Sequence, residues 1–138
     1  MKQNNISTKI KWLRISYWIG AIADIMVGVA AFLPGLRQLV WGLDMPIQGA
    51  GLIFVGYFGA VAFAWAFLLL WADRKPLERR GIALITIFPV VTGLMAAEIC
   101  AIVQNIAPML NLGLMLGGQT MLIILYAFSY INSREESE

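Results

Sequence analysis

The chain has no histidine and a single cysteine, Cys100, among its 138 residues. Those two shortages exclude an intramolecular disulfide and remove the usual zinc-ligand and dithiol redox patterns. Charge is scarce as well: 13% of the residues are charged, about half the roughly 25% of a soluble domain. A formal net charge of +2 is too small to suggest nucleic acid as a partner. No stretch alternates apolar and polar residues with period two, so no strand is expected. There is no Gly-x-Ser-x-Gly elbow, and Cys100 sits in an apolar segment where a thiol is inert. Only a carboxylate-based isomerase or lyase survives among enzyme classes, and no cofactor or metal is expected.

What the chain does have is apolar length. It is 60% hydrophobic, with a mean hydropathy of +0.78. A soluble chain this short could not bury so much apolar surface, so the bilayer must act as solvent for much of it. Four segments reach the length of about 20 apolar residues that a hydrocarbon core requires. They run at about 15–33, 49–71, 81–103 and 112–131, leaving tails at 1–14 and 132–138. Helices are the only open-ended elements that satisfy their backbone in lipid. The expected fold is therefore all-α: an integral membrane four-helix bundle, up-down-up-down, in one domain. The basic N-terminus resembles the start of a signal peptide, but no cleavage site stands out before Pro34, so the first span is expected to be retained.

Lysine and arginine set the expected orientation. Lys2, Lys9, Lys11, Arg14, Arg74, Lys75, Arg79, Arg80 and Arg134 fall on one side and Arg37 alone on the other. The positive-inside rule places both termini and the second connection in the cytoplasm, with the protein in the plasma membrane. Trp12, Trp18, Trp41 and Trp71 fall near the expected interfaces. The first connection, "PGLRQLVWGLDMPIQ", is mildly amphipathic and suits a short interfacial helix. The acidic tail "SREESE" reads as a frayed, solvated end. The two helix pairs show no internal repeat.

One acid stands in the middle of the first span. An ionised Asp at a helix centre costs about 2.5 to 3.5 kcal/mol on the insertion scale. The eight Ile, Leu, Val and Phe residues of the span each return roughly 0.3 to 0.6 kcal/mol, so the two sums nearly cancel. Asp24 is therefore expected to face the bundle interior, protonated or partnered. Gly20, Asp24 and Gly28 are spaced by four and share one helix face, which lets another helix come close or leaves room for a ligand.

Glu98 is the second acid within a span. It lies 18 residues beyond Arg80, or about 27 Å along a helix, whereas Asp24 lies about 15 Å from Arg14. The two acids are thus expected at different depths. Tyr57, Gln119, Thr120 and Asn105 fall in the outer half. With Glu98 they are expected to line a polar cleft that opens outward and ends at Asp24. The plainer reading is a hydrogen-bond network that fixes helix register at about 0.6 kcal/mol per contact. Pro89 in "IFPVVTG" should kink the third span and free the Ile85 carbonyl, with Thr86 or Thr92 compensating. Gly113–Gly117, Gly93–Ala97–Ala101 and Gly56–Ala60 form small-residue faces suited to close packing within the bundle or between protomers.

The segment "LLLWADRKPLERRGI" resembles one found in small four-span membrane proteins of bacteria and archaea. That resemblance implies the architecture and supplies no catalytic residues. Four spans with a mid-membrane acid also resemble the small multidrug-resistance exporters, in which a first-helix glutamate couples protons to cationic drugs. Those exporters insert in both orientations, which the nine-to-one charge bias here opposes. Acids inside four-span bundles serve the sterol isomerases and sigma-2-like receptors in binding amphiphiles, an architectural similarity only. The expected function is binding or moving a small amphiphile, a lipid or a proton around Asp24. The alternative is a structural or accessory subunit, as a homo-oligomer or with a membrane-protein partner, in which Asp24 and Glu98 are hydrogen-bonding glue.

Overall fold

The computed structural model describes residues 2–42 and 47–134, with side chains from residue 10 onward. The side chains of Lys2 and Lys9 and the final "EESE" lie outside the described residues. Six helices are present among the described residues: α1 (Lys2–Phe32), α2 (Pro34–Trp41), α3 (Ala50–Asp73), α4 (Gly81–Ile85), α5 (Thr92–Val103) and α6 (Met109–Arg134). A wider, π-type segment at Thr86–Val91 joins α4 to α5. No strand occurs among the described residues. Among the described residues four stretches are long and apolar enough to cross a membrane: Ile10–Phe32, Ala50–Asp73, Gly81–Val103 and Met109–Arg134. The chain is an all-α four-helix bundle of membrane character.

Helix α1 is continuous from Lys2, so most of the basic N-terminal stretch extends the first span. The first connection does contain a short helix, α2, which opens at Pro34 and closes on Gly42 in the left-handed conformation at φ 64°. Proline suits the first turn because its missing N–H would be unpaired there anyway, and glycine tolerates the positive φ at the end.

The helices pack as an incomplete ring. Helix α1 has its most extensive interface with α3 and a second one with α6, while the third span packs on α6. The second and third spans are joined by side chains, Trp65 Nε1 donating to Thr86 Oγ1 at 3.3 Å. Small residues make the α1–α3 approach possible. Ala21, Ala30, Ala31, Ala62 and Ala66 are buried there. A β-carbon on Gly59 would stand 2.7 Å from the Phe32 ring, and one on Gly28 would stand 3.0 Å from the Phe63 ring. Such contacts exist because lipid supplies no hydrophobic drive between helices, and close van der Waals packing must replace it.

Gly113 and Gly117 behave differently. A β-carbon on either would meet nothing within 4 Å, and the same is true of Gly56 and Gly93. Their faces are not packing faces within the bundle, and spacing alone could not distinguish them from Gly20 and Gly28. The third span departs further from expectation. It is not merely bent at Pro89: Phe88 takes extended dihedrals, φ −133° and ψ 122°, interrupting the helix. Thr86 Oγ1 donates to the Ile82 carbonyl at 2.8 Å, whereas Thr92 Oγ1 is buried without a partner.

The basic end is tied across three spans by the second connection. Tyr17 donates to the Arg79 carbonyl at 3.0 Å, and Arg80 donates to the Ser133 carbonyl at 2.8 Å. The Arg79 guanidinium lies 3.3 Å over the Trp71 ring and donates to the Trp71 carbonyl. Asp73 is met by Arg14 at 3.4 Å and by Trp18 Nε1 at 3.2 Å. At the opposite end Asn111 donates to the Leu39 carbonyl at 3.0 Å, holding α2 against α6.

These contacts predict unequal tolerance at the glycines. Gly20→Ala must displace the Tyr126 hydroxyl, which the new β-carbon would overlap; overpacking of this kind costs about 1 to 3 kcal/mol. Gly113→Ala meets open space and should be neutral or stabilising by up to about 1 kcal/mol. Thermal unfolding of the two variants in detergent checks this, and equal losses would contradict the packing described.

Candidate functional site

The six polar residues expected to share one cleft are distributed over three environments. Glu98 and Gln119 meet. Glu98, on α5, is 9% exposed, and Gln119 Nε2 on α6 donates to its Oε1 at 2.8 Å. Tyr57 is 66% exposed, on the outside of α3. Thr120 is exposed and donates back to the Leu116 carbonyl of its own helix at 2.8 Å. Asn105 is exposed beyond the end of α5, with φ 54°, a conformation asparagine tolerates better than most residues. Asp24 belongs to a different part of the bundle.

Glu98, the acceptor of that hydrogen bond, borders a pocket of ≈ 270 Å³, and Gln119 is not among the residues that line it. Phe58 of α3, Leu94 and Glu98 of α5, Trp41 at the end of α2, and Ile106 and Leu112 near the third connection form its walls. Trp41 and Phe58 meet edge to face, with ring centroids 6.1 Å apart. The pocket lies between the second and third spans, where the ring of helices is least closed. Ala97 and Ala101 also border it, so this small-residue face leaves space where larger side chains would fill it.

The polar chemistry at the pocket is unbalanced. Glu98 Oε2 and Gln119 Oε1 are both buried and accept no hydrogen bond. A carboxylate can accept several hydrogen bonds and an amide oxygen two. Leaving such acceptors unpaired away from water costs about 1 to 3 kcal/mol each. Gln119 Nε2 supplies one donor where at least three could be accepted. The arrangement therefore suits a guest with N–H or O–H donors and an apolar body, the latter against Trp41, Phe58 and Leu94. Concave, mostly apolar sites with few convergent polar groups are the usual form of small-molecule sites.

Asp24 has different surroundings. Gly20, one turn before it, packs against the Tyr126 hydroxyl and Leu69, and Gly28, one turn after it, packs against Phe63. The Gly20–Asp24–Gly28 face is thus turned toward α3 and α6, as its spacing implied. Asp24 is half-buried. No hydrogen bond or ion pair joins it to another described residue. It is within electrostatic reach of Tyr126, a fully buried side chain whose hydroxyl has no hydrogen-bond partner. The tyrosine was missed in the sequence because Tyr126 sits in an apolar run, where an aromatic normally signals packing.

Position along α6 separates the two acidic environments. Gln119 and Tyr126 are seven residues apart, nearly on one face and about 10 Å apart along the axis. Leu122, between them on that face, packs against the hydrophobic core. Among the described residues no cluster of three or more His, Cys, Asp or Glu side chains could hold a metal ion. Comparison with known proteins finds no matching family model, no similar curated protein and no similar solved structure.

The pairing of Glu98 with Gln119 can be tested by its sign. Gln119→Leu removes the only described donor to Glu98 and should destabilise the bundle by about 1 kcal/mol or more. Replacing both partners, Glu98→Leu with Gln119→Leu, removes the unpaired acceptors and should recover most of that loss. Chemical unfolding of the two single variants and the double variant gives the coupling; a double variant as unstable as the sum of the singles would contradict it.

Proposed function

We propose that the protein binds a small amphiphile from the bilayer at the pocket between its second and third spans, with Glu98 and Gln119 receiving the hydrogen-bond donors of its head group. The observation that carries this reading is the buried, unpartnered Glu98 Oε2 on a residue that borders an aromatic-walled pocket, with a second unpartnered acceptor, Gln119 Oε1, on the residue hydrogen-bonded to it. A protein gains nothing in stability from such acceptors; a guest that satisfies them recovers the desolvation already incurred. An amine head group adds Coulombic attraction to a carboxylate in a medium of low dielectric. Asp24 is then a separate polar site, and the pocket needs no contribution from it.

The proposed setting is the plasma membrane with both termini cytoplasmic, supported by nine of the ten basic residues on one side. The pocket then opens in the outer half of the bilayer. In cells, a Gln48→Cys variant made in a Cys100→Ser background should react with an impermeant maleimide applied outside, and Lys75→Cys should not. The reverse labelling pattern would invert the orientation.

A second reading, an accessory subunit held together by its buried polar contacts, draws support from the Glu98–Gln119 hydrogen bond. The two readings differ in binding. Isothermal titration of the protein in nanodiscs should show long-chain primary amines binding at least about tenfold more tightly than chain-matched methyl esters, a difference of roughly 1.4 kcal/mol. Glu98→Leu should abolish that preference and Asp24→Leu should leave it unchanged. No saturable binding of either class would favour the accessory reading.

A further inference from the structure

Helix α1 is held in one rotation at its basic end. Leu13, Ser16 and Tyr17 are fully buried against the bundle. Ser129 of α6 donates to the Trp12 carbonyl at 3.2 Å, and Tyr17 donates to the Arg79 carbonyl. The face left outward carries Ile10, Lys11, Arg14, Ile15 and Trp18, and these five residues line a groove of ≈ 400 Å³. Positions 11, 14, 15 and 18 are three and four residues apart, so their side chains lie one above another on the helix.

Asp73, the last residue of α3, holds two of these side chains. Its Oδ1 meets Arg14 Nε at 3.4 Å, and Trp18 Nε1 donates to its Oδ2 at 3.2 Å. Because that ion pair uses Nε, the two terminal nitrogens of the guanidinium keep their N–H donors. Lys11 is exposed and makes no hydrogen bond or ion pair with another described residue. Asp73 offsets one of the two cationic charges, which leaves the groove one net positive charge and a surplus of donors. Trp18 is 50% exposed, one turn deeper than Arg14, where an indole ring sits beside lipid head groups.

The same face continues into the membrane as Ile22, Ile25 and Val29, all exposed. From Trp18 to Val29 the helix rises about 16 Å, close to the roughly 15 Å half-thickness of a hydrocarbon core. Donors above an aromatic ring and an apolar stripe match a molecule with a phosphate at one end and a hydrocarbon chain at the other. A phosphate diester offers only acceptors and one negative charge, which a guanidinium fork and an ammonium both satisfy. The preference is opposite to that of the Glu98 pocket, where a carboxylate favours cationic head groups.

We propose that α1 carries a binding site for one anionic phospholipid in the leaflet on the basic side of the membrane. Lys11 and Arg14 take the phosphate, Asp73 positions Arg14 and Trp18, and one acyl chain lies along the exposed face below Trp18. This site is independent of the amphiphile pocket, and either can fail without the other.

Native mass spectrometry of the full chain in detergent, titrated with phosphatidylglycerol or chain-matched phosphatidylcholine, tests the proposal. The first phosphatidylglycerol should bind at least about fivefold more tightly than the first phosphatidylcholine. Lys11→Gln and Arg14→Gln should each cut that preference about fivefold. Arg74→Gln removes the same charge from an exposed position outside the groove. It should change the preference less than about twofold, because buffer salt screens charges that do not touch the lipid. Trp18→Ala leaves every cation in place and should weaken both lipids. Thermal unfolding without added lipid confirms that the variants are folded, and Lys11→Gln has no described partner to lose. Equal losses in Lys11→Gln and Arg74→Gln would mean diffuse surface charge and would overturn the proposal. Binding unchanged in folded Trp18→Ala, or displacement of the lipid by inorganic phosphate alone, would overturn it as well.

Discussion

Everything in this bundle depends on how closely α1 approaches its neighbours. In hydrocarbon the association of helices cannot draw on the hydrophobic effect, since lipid tails solvate an apolar face as well as another helix does. Contact must come from shape. The small residues Gly20, Ala21, Gly28 and Ala31 on α1, facing Gly59, Ala62 and Ala66 on α3, allow aromatic rings to lie directly against backbone. The same thinness brings Tyr126 across from α6. A larger residue at Gly20 or Gly28 would push apart the helices that enclose Asp24.

That constraint also sorts the polar groups. Where α1, α3 and α6 meet closely, there is room for Asp24 and the two tyrosines but no open pocket. Where the second and third spans diverge, a pocket opens and Glu98 borders it. The interruption at Phe88 allows α5 to take its own course beyond α4. Two acids at different levels thus have surroundings of different character: Asp24 stands half-buried between the tightly packed Gly20 and Gly28, and Glu98 borders an open pocket. Leu122 on α6 stands between their levels. A single acid in a four-span bundle suggests one site; two acids with an apolar layer between them suggest two.

Much of this was legible in the sequence. The four spans follow from apolar run length, and the inward face of Asp24 follows from the spacing of Gly20 and Gly28. The different depths of Asp24 and Glu98 follow from residue rise alone. The partner of Glu98 was only half legible: Gln119 was a candidate, but Tyr57, Thr120 and Asn105 had equal standing and prove exposed. Depth can be counted along a helix, whereas rotation about its axis is set by packing partners that periodicity does not identify. The same limit explains the glycines, since Gly113–Gly117 has the spacing of Gly20–Gly28 and none of its contacts. Tyr17 and Tyr126 were overlooked because whether a buried hydroxyl finds a partner, as that of Tyr17 does and that of Tyr126 does not, is a property of the assembled bundle.

The most direct test of this division is an experimental structure in lipid with a bromine-labelled long-chain amine. The account predicts anomalous signal in the pocket beside Trp41 and Phe58, with the amine nitrogen within hydrogen-bonding distance of Glu98 and Gln119 and no ligand at Asp24. Signal at Asp24, or a pocket closed by the approach of the second span to the third, would contradict it.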